Sequence, residues 1–106
     1  MTDQQLFYNA IENHQIEWRK HALQRMFERS IQREEVIKTL LRGEIIEMYK
    51  YDTPFPSMLY FAMVNNRPLH VVAAFEKVNS KVYIITAYEP NVEEFESDFK
   101  TRKKHE

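Results

Sequence analysis

Apolar residues recur at helical spacing through the first 42 positions, and from residue 44 onward the spacing drops to two. Leu6, Phe7, Ala10 and Ile11 predict a first helix over 3–13, with Thr2 or Asp3 placed to cap it. Residues 14–17 read as a connection that is extended at Ile16. Ala22, Leu23, Met26 and Phe27 form one stripe of a second helix over 18–29. Ser30-Ile31-Gln32 interrupts it, and Val36, Ile37, Leu40 and Leu41 repeat the stripe over 33–42. Glu34 and Glu35 stand in the first turn of this third helix, where the helix dipole favours acids. Gly43, the only glycine, follows its last turn and is expected to close the helix in a left-handed conformation.

Four extended runs follow, at 44–51, 57–64, 69–76 and 81–88. Pro54 and Pro56 forbid a regular ladder between the first two, Asn65-Asn66-Arg67-Pro68 signals a turn, and Val78-Asn79-Ser80 supplies another. Connections this short suit hairpins and exclude parallel crossovers between these runs. Residues 93–99 read as a short C-terminal helix, and 101–106 as a frayed basic tail. The expectation is an α+β fold: N-terminal helices packed on a four-stranded antiparallel meander sheet, in one domain spanning 1–106.

Composition narrows the chemistry. With no cysteine among 106 residues, disulfides, thiolate nucleophiles and Cys-ligated zinc are excluded. Met1 to Asn13 lacks the apolar core of a secretory signal, and no run approaches the roughly 18 apolar residues of a membrane span, so a soluble, cytoplasmic protein is expected. A single glycine rules out phosphate-cradling loops, dinucleotide fingerprints and the serine nucleophile elbow. His14, His21, His70 and His105 form no H-x-x-x-H pair, and Glu93, Glu94, Glu96 and Asp98 lack the glycine and spacing of a calcium loop. No metal and no cofactor is expected. The net charge of −1 is unevenly spread: 17–42 and the tail are net basic, 43–98 net acidic.

The remaining candidates are few. His21, Arg25 and Arg29 stand at i, i+4 and i+8, along one side of the second helix. An imidazole can move a proton near neutral pH, and guanidinium forks hold phosphate oxygens. The plainer reading of that stripe is a solvated cationic face. His70 interrupts an apolar strand, where a hydrogen-bonded structural histidine is the plainer reading. Thr86 and Tyr88 share a face of the next strand, and the register of the 78–80 turn decides whether His70 shares it. Tyr49, Tyr51, Phe55 and Tyr60 could stack on bases or simply fill core and rim.

The blocks His21-Ala22-x-x-Arg25-Met26-x-x-Arg29-x-Ile31, Arg67-Pro68-Leu69-His70-Val71-Val72 and Ile84-Ile85-Thr86-Ala87-Tyr88-Glu89-Pro90 together resemble a family of small bacterial domains, domain of unknown function 4258. The resemblance runs from about 16 to 102, leaving 1–15 as an added N-terminal helix. Arg19-Lys20 stand where that family often has a Ser or Thr helix cap, and Ser30 where it often has Gly. More distantly, helices followed by an antiparallel sheet are similar to the barnase, EndoU and RelE-like ribonuclease toxins, which cleave RNA without metal.

Carried onto this chain, that likeness implies a metal-independent endoribonuclease or toxin-like RNA-processing protein, a step taken at the level of fold. His21 and His70 would serve as base and acid, Arg25 and Arg29 would hold the phosphate, and Thr86 and Tyr88 would orient groups at the strand end. Its partners would be RNA and an antitoxin-like protein. The alternative is a non-catalytic protein-interaction module of a small operon-encoded complex, binding through sheet edges. Geometry separates the two. Catalysis needs His21, Arg25, Arg29 and His70 in one cleft, whereas a His70 that is buried or turned away from the helix favours the interaction module.

Overall fold

The computed structural model describes residues 1–104. Three helices, α1 (Asp3–Glu12), α2 (Lys20–Glu28) and α3 (Arg33–Arg42), pack on one face of a sheet. The strands are β1 (Ile16–Trp18), β2 (Glu44–Tyr49), β3 (Ser57–Val64), β4 (Arg67–Glu76) and β5 (Lys81–Tyr88). The helix spans follow the apolar stripes closely. Thr2 caps α1 through a capping box with Gln5, and the Glu35 side chain accepts from the Gln32 amide, 2.9 Å, at the start of α3. Arg19 precedes α2 with no side-chain cap.

The α+β class holds, but the sheet has five strands and is mixed. Its order is β1-β5-β4-β3-β2, with β1 parallel to β5 and the other pairs antiparallel. The connection at 14–17 conceals the fifth strand. Ile16 and Trp18 pair with Val82 and Ile84, and three residues are too few for a period of two to declare itself. The expected C-terminal helix is absent: 91–104 runs in turns, closed by a bridge between Phe95 and Arg102. The Glu96 amide donates to the Thr101 carbonyl, where a helix would send it back to Val92, and the Asp98 carboxylate accepts from the Lys100 and Thr101 amides in a tight turn. Thr101 to Lys104 belong to this segment; the last two residues of the expected tail lie outside the described ones.

Gly43 also departs from expectation. Its backbone is extended, with φ −78° and ψ 171°, so no left-handed cap forms. A Cβ there would run into the carbonyl oxygens of Thr39 and Phe61. Glycine is required because α3 turns into β2 directly against β3, not because φ is positive.

Side chains alternate across the sheet. Tyr60, Val64, Leu69, Val71, Ala73, Val82, Ile84 and Ala87 face the helices and meet Phe7, Ile11, Ala22, Met26, Val36 and Leu40 in the main core. The opposite face, called outer here, carries Ser57, Leu59 and Phe61 of β3 and His70, Val72 and Ala74 of β4. It too is covered. The segment after Pro90 crosses it, burying Phe95, and Phe55 of the 52–56 loop stacks on Tyr83 at 5.5 Å.

Candidate functional site

The register of β4 and β5 assembles the site. From the turn at 77–80 the ladder pairs Glu76 with Lys81 through Ala73 with Ile84. One extra residue in β5, Ile85, then shifts the register, so that Val72 lies opposite Thr86 and His70 opposite Tyr88. The bulge places Thr86 and Tyr88 on the outer face with His70. Continued without it, the ladder would turn Tyr88 toward the helices.

His70 is fully buried on that face. Its Nε2–H donates to the Phe99 carbonyl at 2.6 Å, which leaves Nδ1 as the acceptor nitrogen. Nδ1 has no partner among the described residues. The Phe95 ring stands T-shaped to the imidazole with centres 4.7 Å apart, and the Tyr88 and Phe61 ring centres lie at 5.4 and 5.8 Å. Burial pushes the His70 pKa down, against the opposing pull of the Phe99 carbonyl and the Glu47 charge. Burial raises the Tyr88 hydroxyl.

Two residues that sequence reasoning left aside belong to this face. Glu47 of β2 accepts from Arg102 Nε at 2.6 Å and from the Tyr49 hydroxyl at 2.5 Å. The Arg102 hydrogen bond is the chief reason its carboxyl titrates low. Burial, followed by the Glu47 contact, pushes the Tyr49 hydroxyl up to about 12. Arg102 also lies over the Phe95 ring, 4.9 Å from its centre. Only the bend of the last segment brings Arg102 to Glu47, 55 residues away, so no local spacing signals the pair.

The charged stripe of α2 divides. Ala22 and Met26 point into the main core with Val71 and Ala87, so α2 lies on the face opposite His70. His21 and Arg25 are exposed, and Arg25 sits 3.9 Å from Glu28. Arg29, at the C-cap, reaches the sheet end, where its Nη1 donates to the Ala87 carbonyl at 2.9 Å. There it lines an open cleft of about 500 Å³ with Tyr88, Glu89, Asn91 and Glu94. Of the six residues singled out, His70, Thr86 and Tyr88 share one face and Arg29 meets Tyr88. His21 and Arg25 join neither group. The single cleft expected to hold His21, Arg25, Arg29 and His70 is not formed, because strand alternation turns His70 away from α2.

Among the described residues, no three His, Asp or Glu side chains converge as a metal site would require, and no helix is long and apolar enough to cross a membrane. Beside the cleft, Arg67 joins Glu35 at 2.8 Å, Glu89 at 3.1 Å and the Ser30 carbonyl at 2.6 Å, tying the α2–α3 junction to the sheet end. Burial works to raise the Glu35 pKa, but hydrogen bonds from the Gln32 amide, Arg67 and Asn65 outweigh it and hold the carboxyl low.

The sequence profile of the domain of unknown function DUF4258 matches residues 18–89, more than half of the chain. The chain belongs to the DUF4258 family. No curated protein and no solved structure matches it. The DUF4258 match takes in α2, α3, all of β2 to β5 and both histidine-bearing blocks. It ends at Glu89, so the segment that covers His70 lies beyond the matched residues.

Proposed function

We propose that this DUF4258 chain works by binding a protein partner, as a non-catalytic interaction module. One observation carries the reading: His70 is fully buried, turned away from α2, with Nε2 held by the Phe99 carbonyl. A general acid or base must reach a substrate atom through at most one water. His70 reaches none in this arrangement, and His21 stands on the far side of the sheet.

A surface for a partner is at hand. β2 ends the sheet, and the backbone edge turned away from β3 is unpaired among the described residues. Ile45 and Met48 beside that edge are 46% and 58% exposed. An open edge with apolar side chains alongside suits strand addition by a partner. A partner encoded beside this chain, antitoxin-like or otherwise, fits this mode.

The second reading, metal-independent RNA processing, draws on the cleft that Arg29 and Tyr88 share. A guanidinium and a phenol at one cleft can hold a phosphate and orient a ribose hydroxyl. One assay separates the readings: purified protein incubated with single-stranded RNA in EDTA. The interaction module is expected to leave the RNA intact. Cleavage that disappears in Arg29→Ala or Tyr88→Phe would overturn it in favour of RNA processing.

A further inference from the structure

The segment 91–104 is bound to its own sheet in the manner of a docked peptide. It contains no helix, and its one bridge is internal, between Phe95 and Arg102. Its backbone–backbone hydrogen bonds among the described residues are to itself: the Glu96 amide to Thr101, Phe99 to Glu96 and Lys103 to Glu94. It holds the sheet through four side chains and one carbonyl. Phe95, 2% exposed, presses its ring against His70. Phe99 lies 6.5 Å from Phe61 and gives its carbonyl to His70 Nε2. Arg102 grips Glu47, and Lys100 adds a 3.0 Å ion pair with Glu44.

The receiving surface belongs to the family-matched part of the chain, and the segment does not. The surface also carries an anomaly for a purely structural core, the fully buried Nδ1 of His70, which has no partner among the described residues. An unmade hydrogen bond on a buried nitrogen costs about 1–3 kcal/mol. A polar group under a cover whose backbone–backbone hydrogen bonds, among the described residues, are all internal is the arrangement of a site whose occupant can change.

We propose that the outer face of the sheet, centred on His70 with Glu47, Phe61 and Tyr88, is a peptide-binding site masked by residues 91–104. Its ligand is a turn-forming segment of a partner protein, with two aromatic residues four apart and an arginine three further on, the pattern of Phe95, Phe99 and Arg102. The first aromatic stacks edge-on against His70, a backbone carbonyl near the second accepts from Nε2, and the arginine pairs with Glu47. The inference rests on the interaction-module reading and gives it a second site, on the outer face beside the β2 edge, with its ligand. The masking segment competes from within the chain at an effective concentration on the order of millimolar, so a partner must bind well or the mask must loosen.

The test uses the full chain and a fluorescein-labelled peptide of residues 91–104, read by anisotropy. The unaltered chain is expected to bind it weakly. Arg102→Ala in the chain removes a half-exposed anchor of the mask and leaves the main core untouched, so binding should tighten at least about tenfold. A peptide carrying Phe95→Ala and Phe99→Ala should lose that binding. Hydrogen exchange on the unaltered chain supplies a readout independent of any variant: the Glu96 and Lys103 amides should exchange at least about a hundredfold faster than those of β4.

No saturable binding by a folded Arg102→Ala chain would overturn the proposal. So would equal binding of the aromatic-free peptide, or exchange in 91–104 as slow as in β4. These outcomes are distinct from RNA cleavage, which bears on the interaction-module reading and leaves the peptide measurement standing.

Discussion

Tyr88 stands directly across the ladder from His70 because β5 spends one extra residue, Ile85, between Ile84 and Thr86. The bulge decides which face the strand end presents, and so which groups can meet. It collects His70, Thr86 and Tyr88 on the outer face and leaves Ala87 to pack against α2. A chain lacking Ile85 would keep every cross-strand pair and both face assignments, with a regular ladder in place of the bulge. The Ile85 deletion is therefore expected to fold, at a cost of no more than about 2 kcal/mol. Loss of cooperative thermal unfolding in that variant would show that the bulge itself, and not the pairing around it, supports the fold.

His70 should make stability depend on pH. Its folded pKa lies below the ordinary value of 6.5, so the unfolded chain takes up a proton first as pH falls. Stability due to this group is full above about 6.5, declines as pH falls through that value, and levels off once pH passes below the folded pKa. Glu35 and Glu47, both held below the ordinary 4.5, add their own losses only at still lower pH. Urea unfolding between about pH 7.5 and about pH 5 should show the slope, and His70→Gln should flatten it.

Removing the imidazole altogether is a separate matter. His70→Ala empties a fully buried position and strands the Phe99 carbonyl. The expected loss is about 2–4 kcal/mol, and the amides of 95–103 should exchange faster while those of α1 do not.

Gly43→Ala should destabilise the fold by about 1–3 kcal/mol, since its Cβ must displace the Thr39 or Phe61 backbone. The φ of −78° is open to any residue, so the cost is one of space alone. A Gly43→Ala chain as stable as the original in urea would show that α3 and β3 can move apart freely.

Arg67 ties the sheet end to the α2–α3 junction through Glu35, Glu89 and the Ser30 carbonyl. Arg67→Ala leaves the buried Glu35 short of a partner and should cost about 2–3 kcal/mol in urea unfolding. Adding Glu35→Gln should recover part of that loss, because an uncharged amide is cheaper to leave unpaired. Additive losses in the double variant would mean the two residues do not act together.

Much of the fold was legible in the order of apolar and polar residues. Helical stripes located α1, α2 and α3, because each buries one side against a sheet and repeats every 3.6 residues. The four long strands were legible for the same reason at a period of two. The candidate residues were legible by type alone: His70, Tyr88 and Arg29 stand out from their apolar or helical surroundings.

Which of those residues meet was decided in three dimensions. β1 is too short to carry a period, and only its parallel pairing with β5 makes it a strand. A single bulged residue set the face of Tyr88, and one residue either way is invisible in a composition or a spacing. Strand alternation then put His70 on the side away from His21. Glu47 and Arg102 pair across 55 residues through a turn that no repeat announces. Local periodicity encodes what each element buries, because burial acts along one element at a time. A site depends on register and long-range return of the chain, and those are settled only when the elements pack.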